Sequence, residues 1–174
     1  ENRTAVRPKK RFHHGDLREA LIAATRELLI EHGPDGFTLA DACRRAGVTT
    51  AGPYKHFRDK QEILEEIISR GFAELTAANL KAVAEGGPGT IAGITAMGLS
   101  YLSFAVEQPA IFRLMFGHKS EIRKDKQVDE SGKQCLKHVI EEVASYSRKH
   151  GHTADAEATA LRLWTFVHGA SSLG

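Results

Sequence analysis

Leu17, Leu21, Ala24 and Leu28 recur at helical spacing, with Leu29 beside them, so the first apolar stripe predicts an amphipathic helix. Asp16 with Glu19 three positions on reads as a capping box that opens it. His32-Gly33-Pro34 closes it, because Gly33 suits a left-handed C′ position and Pro34 cannot continue a helix. A second start follows at once. Thr38 and Asp41 form another capping pair, and Leu39, Ala42, Cys43 and Ala46 give a small-residue inner face that Gly47 ends. Val48 is an apolar plug in the turn, and Thr49 or Thr50 caps a third short helix reaching about Phe57. Asp59 with Glu62 opens a fourth, lined by Ile63, Ile67, Gly71 and Leu75, with Leu64, Ile68 and Phe72 alongside.

The first strong break is residues 84–89, where Gly and Pro crowd together. A long apolar helix is expected over 91–107 and is interrupted at Pro109, with a short piece over 110–116. Residues 117–132 are polar and of mixed charge and read as a loop. Further helices are expected over 133–150 and from Asp155 onward. Alternating β-branched runs and Asn-Gly hairpin signals are missing from the pattern, so the expected fold class is all-α. The expected organisation is a three-helix N-terminal domain over 1–60 joined to a C-terminal antiparallel helical bundle over 61–174.

Charge changes this picture. Residues 1–60 carry 12 Lys/Arg against 8 Asp/Glu, whereas the remainder carries 12 against 14. The excess is densest at Arg3, Arg7, Lys9, Lys10 and Arg11, an arm that reads either as a phosphate-backbone contact or as a solvated tail. No run approaches the roughly 20 apolar residues of a membrane span, and no apolar core follows a basic start as in a secretory signal. Cys43 and Cys135 form no C-x-x-C pair and fit a reducing compartment, so a cytoplasmic protein is expected. Enzyme motifs are lacking: there is no G-x-S-x-G, no P-loop and no H-E-x-x-H. Glu141 and Glu142 are adjacent and point to different helix faces. His13-His14 and His150-x-His152 come without a Cys or carboxylate cluster, so neither a metal nor a cofactor is expected.

The segment 38–57 carries the function. Two short helices joined by a tight glycine turn make a helix-turn-helix, in which the second helix offers its N-terminal residues to base edges in the major groove. The stretch TLADACRRAGVTTAGPYKHFRDKQEILEEII, with HHGDLREALIAATRELLIEHG before it, resembles the DNA-binding domain of the TetR family over about residues 12–75. The resemblance rests on Tyr54 followed by His56-Phe57, and on Lys60 and Glu62 opening the next helix.

It implies that Thr38 bonds a phosphate and that Thr49, Thr50, Ala51 and Gly52 face the groove. Tyr54 and Lys55 would touch phosphate or base edges, His56 the backbone, and Lys60 a further phosphate, with Lys10 and Arg11 in the arm. Phe57 would anchor the recognition helix. Pro53 departs from the family's usual Leu or Ile, but proline is tolerated in a first helical turn. Gly52 has no side chain to read a base, so specificity leans on Thr49, Thr50, Tyr54 and Lys55.

Near the end, ALRLWTFVHGASSL is similar to a W-x-x-x-H-G signature of one TetR branch, through Trp164, His168 and Gly169. The family implies a palindromic double-stranded operator, a homodimer and release by a small, largely apolar ligand. Phe104, Met115, Trp164 and His168 are the candidate ligand residues, against the alternative that this aromatic surface is plain core. In the family the last two helices of each subunit form the dimer interface. Here 155–172 would be the penultimate one, with Ala156, Ala160, Gly169 and Ala170 allowing close approach. An effector-independent DNA binder shares every N-terminal feature and is the alternative function. A helical ligand-binding protein or enzyme is the remaining one.

Overall fold

The computed structural model describes residues 14–48, 56–117 and 126–172. Among the described residues there are seven helices and no strand. They divide between two compact units, Glu1–Lys60 and Gln61–Gly174.

In the first unit, α1 (His14–His32) begins two residues before the expected cap, so Asp16 lies inside its first turn. The helix ends as expected. Gly33 adopts φ +71°, and its N–H donates to the Leu29 carbonyl at 3.0 Å. Leu21, Leu28 and Leu29 are buried. α2 (Leu39–Arg45) has the capping box read from Thr38 and Asp41. The Asp41 N–H donates to Thr38 Oγ1 at 3.2 Å, while the Thr38 N–H donates to Asp41 Oδ2 at 2.8 Å. Ala42 and Cys43 are its buried face. Arg45 ties α2 to α1 with bonds to Glu31 at 2.6 and 2.8 Å and to Glu27 at 3.2 Å.

In the second unit the long helix α3 (Lys60–Gly86) buries all seven residues of the stripe read from the sequence, Ile63 to Leu75. It runs two residues past the expected break at Ala84, and the positive φ values begin only at Gly87. The turn that follows is clasped by the last third of α6 (Lys126–His150). The Gly89 N–H donates to Glu142 Oε1 at 2.5 Å, and the Lys149 ammonium donates to the Pro88 carbonyl.

α4 (Ile91–Glu107) is capped by Thr90, whose Oγ1 accepts from the Gly93 N–H at 3.0 Å. At Gln108 the backbone leaves the helical region, and Pro109 starts α5 (Pro109–Gly117), where a missing N–H costs nothing. α3 meets α5 at Gly71, where a Cβ would lie 2.6 Å from Met115 Sδ and 3.0 Å from Ile111 Cγ2. α7 (Ala156–Ser172) packs against α4 and α6. Asp155 caps it, accepting from the Glu157 and Ala158 N–H groups at 2.9 and 3.2 Å.

The expectation of a loop over 117–132 is overturned for 126–132, which form the first turns of α6. Its charges are intrahelical pairs. Lys133 bonds Asp129 at 2.6 Å and Gln134 bonds Glu130 at 3.0 Å, both at i,i+4 spacing. Val128 and Cys135 are buried, and Gly132 approaches the Phe72 ring, so the polar run is the solvent face of an amphipathic helix. Residues 118–125 lie outside the described residues.

Candidate DNA-binding face and ligand cavity

Three of the expected DNA-contact residues fall among the described residues: Thr38, His56 and Lys60. Lys10, Arg11 and Thr49 to Lys55, Tyr54 included, lie outside them.

Gly47 supplies the tight turn after α2 with φ +71°. The Val48 N–H reaches back to the Cys43 carbonyl at 3.0 Å, the closing bond of a Schellman-type end. The chain therefore leaves α2 sharply just before Thr49. Thr38 is exposed at the start of α2, but its hydroxyl donates to Asp41 Oδ2 at 2.6 Å. That bond holds the Asp41 carboxyl below its ordinary range, with Arg44 assisting at 3.0 Å. In the isolated chain the Thr38 hydroxyl thus serves the cap.

Lys60 differs more from the sequence reading. Its ammonium donates to the Pro34 and Phe37 carbonyls, each at 2.9 Å, and sits 5.0 Å from the Phe37 ring centroid. Two of three donors are thereby committed to pinning the α1–α2 connection, which leaves one for a phosphate. His56 is half-buried in the turn before α3. Phe57 is buried at 2 % exposure, with the Arg18 guanidinium 5.0 Å from its ring, and acts as the hydrophobic anchor there.

The second unit contains two open pockets, neighbouring lobes of about 210 and 280 Å³. Asn79, Tyr101, Val139 and Trp164 line both. Phe72, Phe116 and Cys135 wall the first, and Met97, Leu163 and Val167 help wall the second. Of the four candidate ligand residues, Trp164 is on the wall. Phe104 and Met115 are not on either lobe: at 6 % and 0 % exposure they are core, and Met115 is the side chain packed on Gly71.

His168 stands behind Tyr101. Its Nδ1 lies 2.8 Å from the Tyr101 hydroxyl, and its ring stacks on Trp164 at a centroid distance of 5.0 Å. Burial pushes the Tyr101 hydroxyl well above its ordinary value. Burial lowers His168. Both groups are therefore neutral near pH 7, and the tautomer of His168 sets which of the two donates. Tyr101 and His168 are thus a hydrogen-bonded pair beside the Trp164 ring.

Sequence reasoning missed Asn79 and Val139 as wall residues. Asn79 continues the Leu75 stripe four residues on, with Val83 four beyond it, so it falls on the buried face of α3.

The His168 environment predicts a pH dependence. A histidine held neutral in the fold stabilises it fully above the ordinary value of 6.5. As pH falls below that value the unfolded chain takes up a proton that folded His168 resists, and stability is lost. The drop in Tm between about pH 7.5 and about pH 5.5 is expected to be smaller in His168→Gln than in the parent protein. Equal drops would show that His168 is not a linked group.

A short capped helix, a sharp glycine turn and, among the described residues, helices alone fit the class of helix-turn-helix regulators. The comparisons agree. Residues 21–67 match the model of bacterial regulatory proteins of the tetR family, and residues 94–174 match the tetracyclin repressor-like C-terminal domain. The HTH-type transcriptional repressor BepR of Brucella suis is 38% identical over 55 residues, which are 32% of this chain and 26% of the relative. The chain thus spans about a quarter of the length of that curated relative.

A protein of unknown function from Rhodococcus sp. RHA1 superposes with a TM-score of 0.84 at 34% identity, over 94% of this chain and 85% of that one. The fatty acid degradation regulator FadR of Bacillus halodurans shares the fold, with a TM-score of 0.75 at 13% identity over 88% and 81%. The chain belongs to the TetR family. Its fold is an N-terminal helix-turn-helix followed by a C-terminal helical domain, and its class is that of a regulator rather than an enzyme.

Proposed function

We propose that this protein is a transcriptional repressor that binds a palindromic operator as a homodimer and is released by a small, largely apolar molecule. The observation that carries the reading is the match of residues 21–67 to the tetR DNA-binding model, together with the capped α2 and the Gly47 turn that ends it. Thr49, Thr50, Ala51, Gly52, Tyr54 and Lys55 read the groove. Thr38, His56, Lys60, Lys10 and Arg11 serve the phosphates. Residues 1–60 are the DNA-binding part and 61–174 the ligand and dimerisation part, acting in the cytoplasm with the DNA. Among the described residues no helix is long and apolar enough to cross a membrane.

Dimerisation is supported by exposed apolar residues of α7: Leu161 is 39 % exposed, and Phe166, at the open edge of the second lobe, is 78 % exposed. One small residue expected at that interface is corrected. Ala160 is fully buried within its own chain, because it points inward on α7, and Gly169 and Ala170 remain exposed. Paired half-sites require a two-fold dimer. The ligand acts through α3, which begins at Lys60 and supplies Asn79 to the cavity. A ligand that prefers one tilt of this helix changes the spacing of the two recognition helices, and it shifts DNA affinity only by its differential affinity for the two states.

The test is binding to the DNA upstream of the protein's own gene. Thr50→Ala and Tyr54→Ala are expected to reduce selective binding about tenfold or more each, with unchanged Tm. Full selectivity in both variants would remove 49–55 as the reading element.

A further inference from the structure

We propose that Asn79 is the polar anchor of the cavity, and that the cavity takes an uncharged, mainly hydrocarbon molecule bearing a hydroxyl or amide group that pairs with the Asn79 side chain. The proposal rests on the ligand-responsive reading above and names the class of ligand.

Asn79 is 4 % exposed in the last third of α3, and its Oδ1 is buried without a hydrogen-bond partner. Buried polar atoms in folded proteins almost always have a partner, so an orphaned amide on a cavity wall marks where a partner is supplied from outside the chain. Asn79 lines both lobes, so a molecule in either one passes its side chain.

The surroundings specify the rest. The Tyr101 hydroxyl is already bonded to His168. Asp129 and Lys133 stand at the rim of the first lobe, paired with each other at 2.6 Å and more than half exposed. Burial raises the Cys135 thiol, which stays protonated. Among the described residues no unpaired charge lines either lobe, so an ionised head group beside Asn79 would lack a counter-charge, a costly arrangement. A single water is a poor substitute, because a buried water needs two to four polar partners and the other wall groups beside Asn79 are mainly apolar. The unpartnered atom is the amide oxygen, which only accepts, so its partner must donate. A hydroxyl or primary amide donates, whereas an ether only accepts and a carboxylate accepts and brings charge.

Trp164 is the single tryptophan of the chain and lines both lobes, so its fluorescence reports occupancy directly. The full-length protein is titrated with 1-octanol, with octanoate and with heptyl methyl ether. Octanol is expected to give a saturable Trp164 response at least about tenfold tighter than the other two. Asn79→Leu is expected to abolish that preference and to raise the Tm of the unliganded protein, because it removes a buried amide oxygen without a partner.

Octanoate binding more tightly than octanol, no saturable response to octanol, or an unchanged preference in Asn79→Leu would each overturn the proposal. A lower Tm in Asn79→Leu would do so as well, by showing a structural amide. The regulator reading fails separately. If Asn79-dependent octanol binding is present and saturating octanol leaves operator binding untouched, the anchor stands and ligand release does not. If a compound releases the operator without any dependence on Asn79, the regulator stands and the anchor does not.

Discussion

Phe57→Ala is expected to destabilise the N-terminal unit by about 3–5 kcal/mol and to abolish selective DNA binding with it. Phe57 is 2 % exposed and carries the Arg18 guanidinium over its ring. Truncation removes the buried ring and leaves a cavity, and it exposes Arg18 to the loss of its cation–π partner. It also cuts the anchor at the end of the segment that follows α2. A domain near 60 residues has little stability in reserve, so a loss of this size is enough to unfold it. Urea denaturation followed by circular dichroism is the check, with Trp164 fluorescence reporting the second unit independently. Phe57→Leu keeps most of the volume and is expected to cost less than about 1.5 kcal/mol. A loss under about 1 kcal/mol in Phe57→Ala would mean that the ring is not the anchor.

The second large effect lies where α3 meets α5. Met115 is fully buried, and its Sδ occupies the space where a Gly71 side chain would stand. Met115→Ala is expected to cost about 2–5 kcal/mol. Gly71→Ala alone sets two opposing terms against each other, a helix-propensity gain of about 1 kcal/mol and an overpacking cost of about 1–3 kcal/mol. Overpacking wins, because the sulfur has no exposed route out of the way. In the double variant the added methyl enters the space that the sulfur left. The Gly71→Ala change should then stabilise, giving a coupling of about 1–3 kcal/mol between the two sites. Additive effects would mean that helix and side chain relax independently.

Both sites show what was legible in the chain. The Ile63, Ile67, Gly71, Leu75 stripe is visible because apolar residues at helical spacing have one interpretation in a polar chain. The Thr38–Asp41 cap and the Gly33 and Gly47 turns are visible because their chemistry is local. The start of α6 was not. Its first turns carry Lys126, Asp129, Glu130 and Lys133, and a charged run reads as loop until the partner of Val128 is known.

Sequence gives the charge of Lys60 but not the Pro34 and Phe37 carbonyls that take two of its donors. Met115 and Phe104 look like pocket residues by type, but only packing decides which aromatic or sulfur side chain faces a void. Asn79 was passed over because one polar residue on a long helix is ordinarily solvated. Its position on the buried stripe, four residues from both Leu75 and Val83, was the available signal.

The central claim is selective DNA binding, and the most direct measurement is a salt titration of the full-length protein on the DNA upstream of its own gene against random DNA of equal length. The account predicts binding at least about 10³-fold tighter to the upstream DNA at physiological salt, with a selectivity that persists as salt rises while both affinities fall. Equal, weak binding to both DNAs that appears only at low salt would contradict it. The N-terminal charge would then be a non-specific electrostatic surface, and the helical body would be the place to look for function.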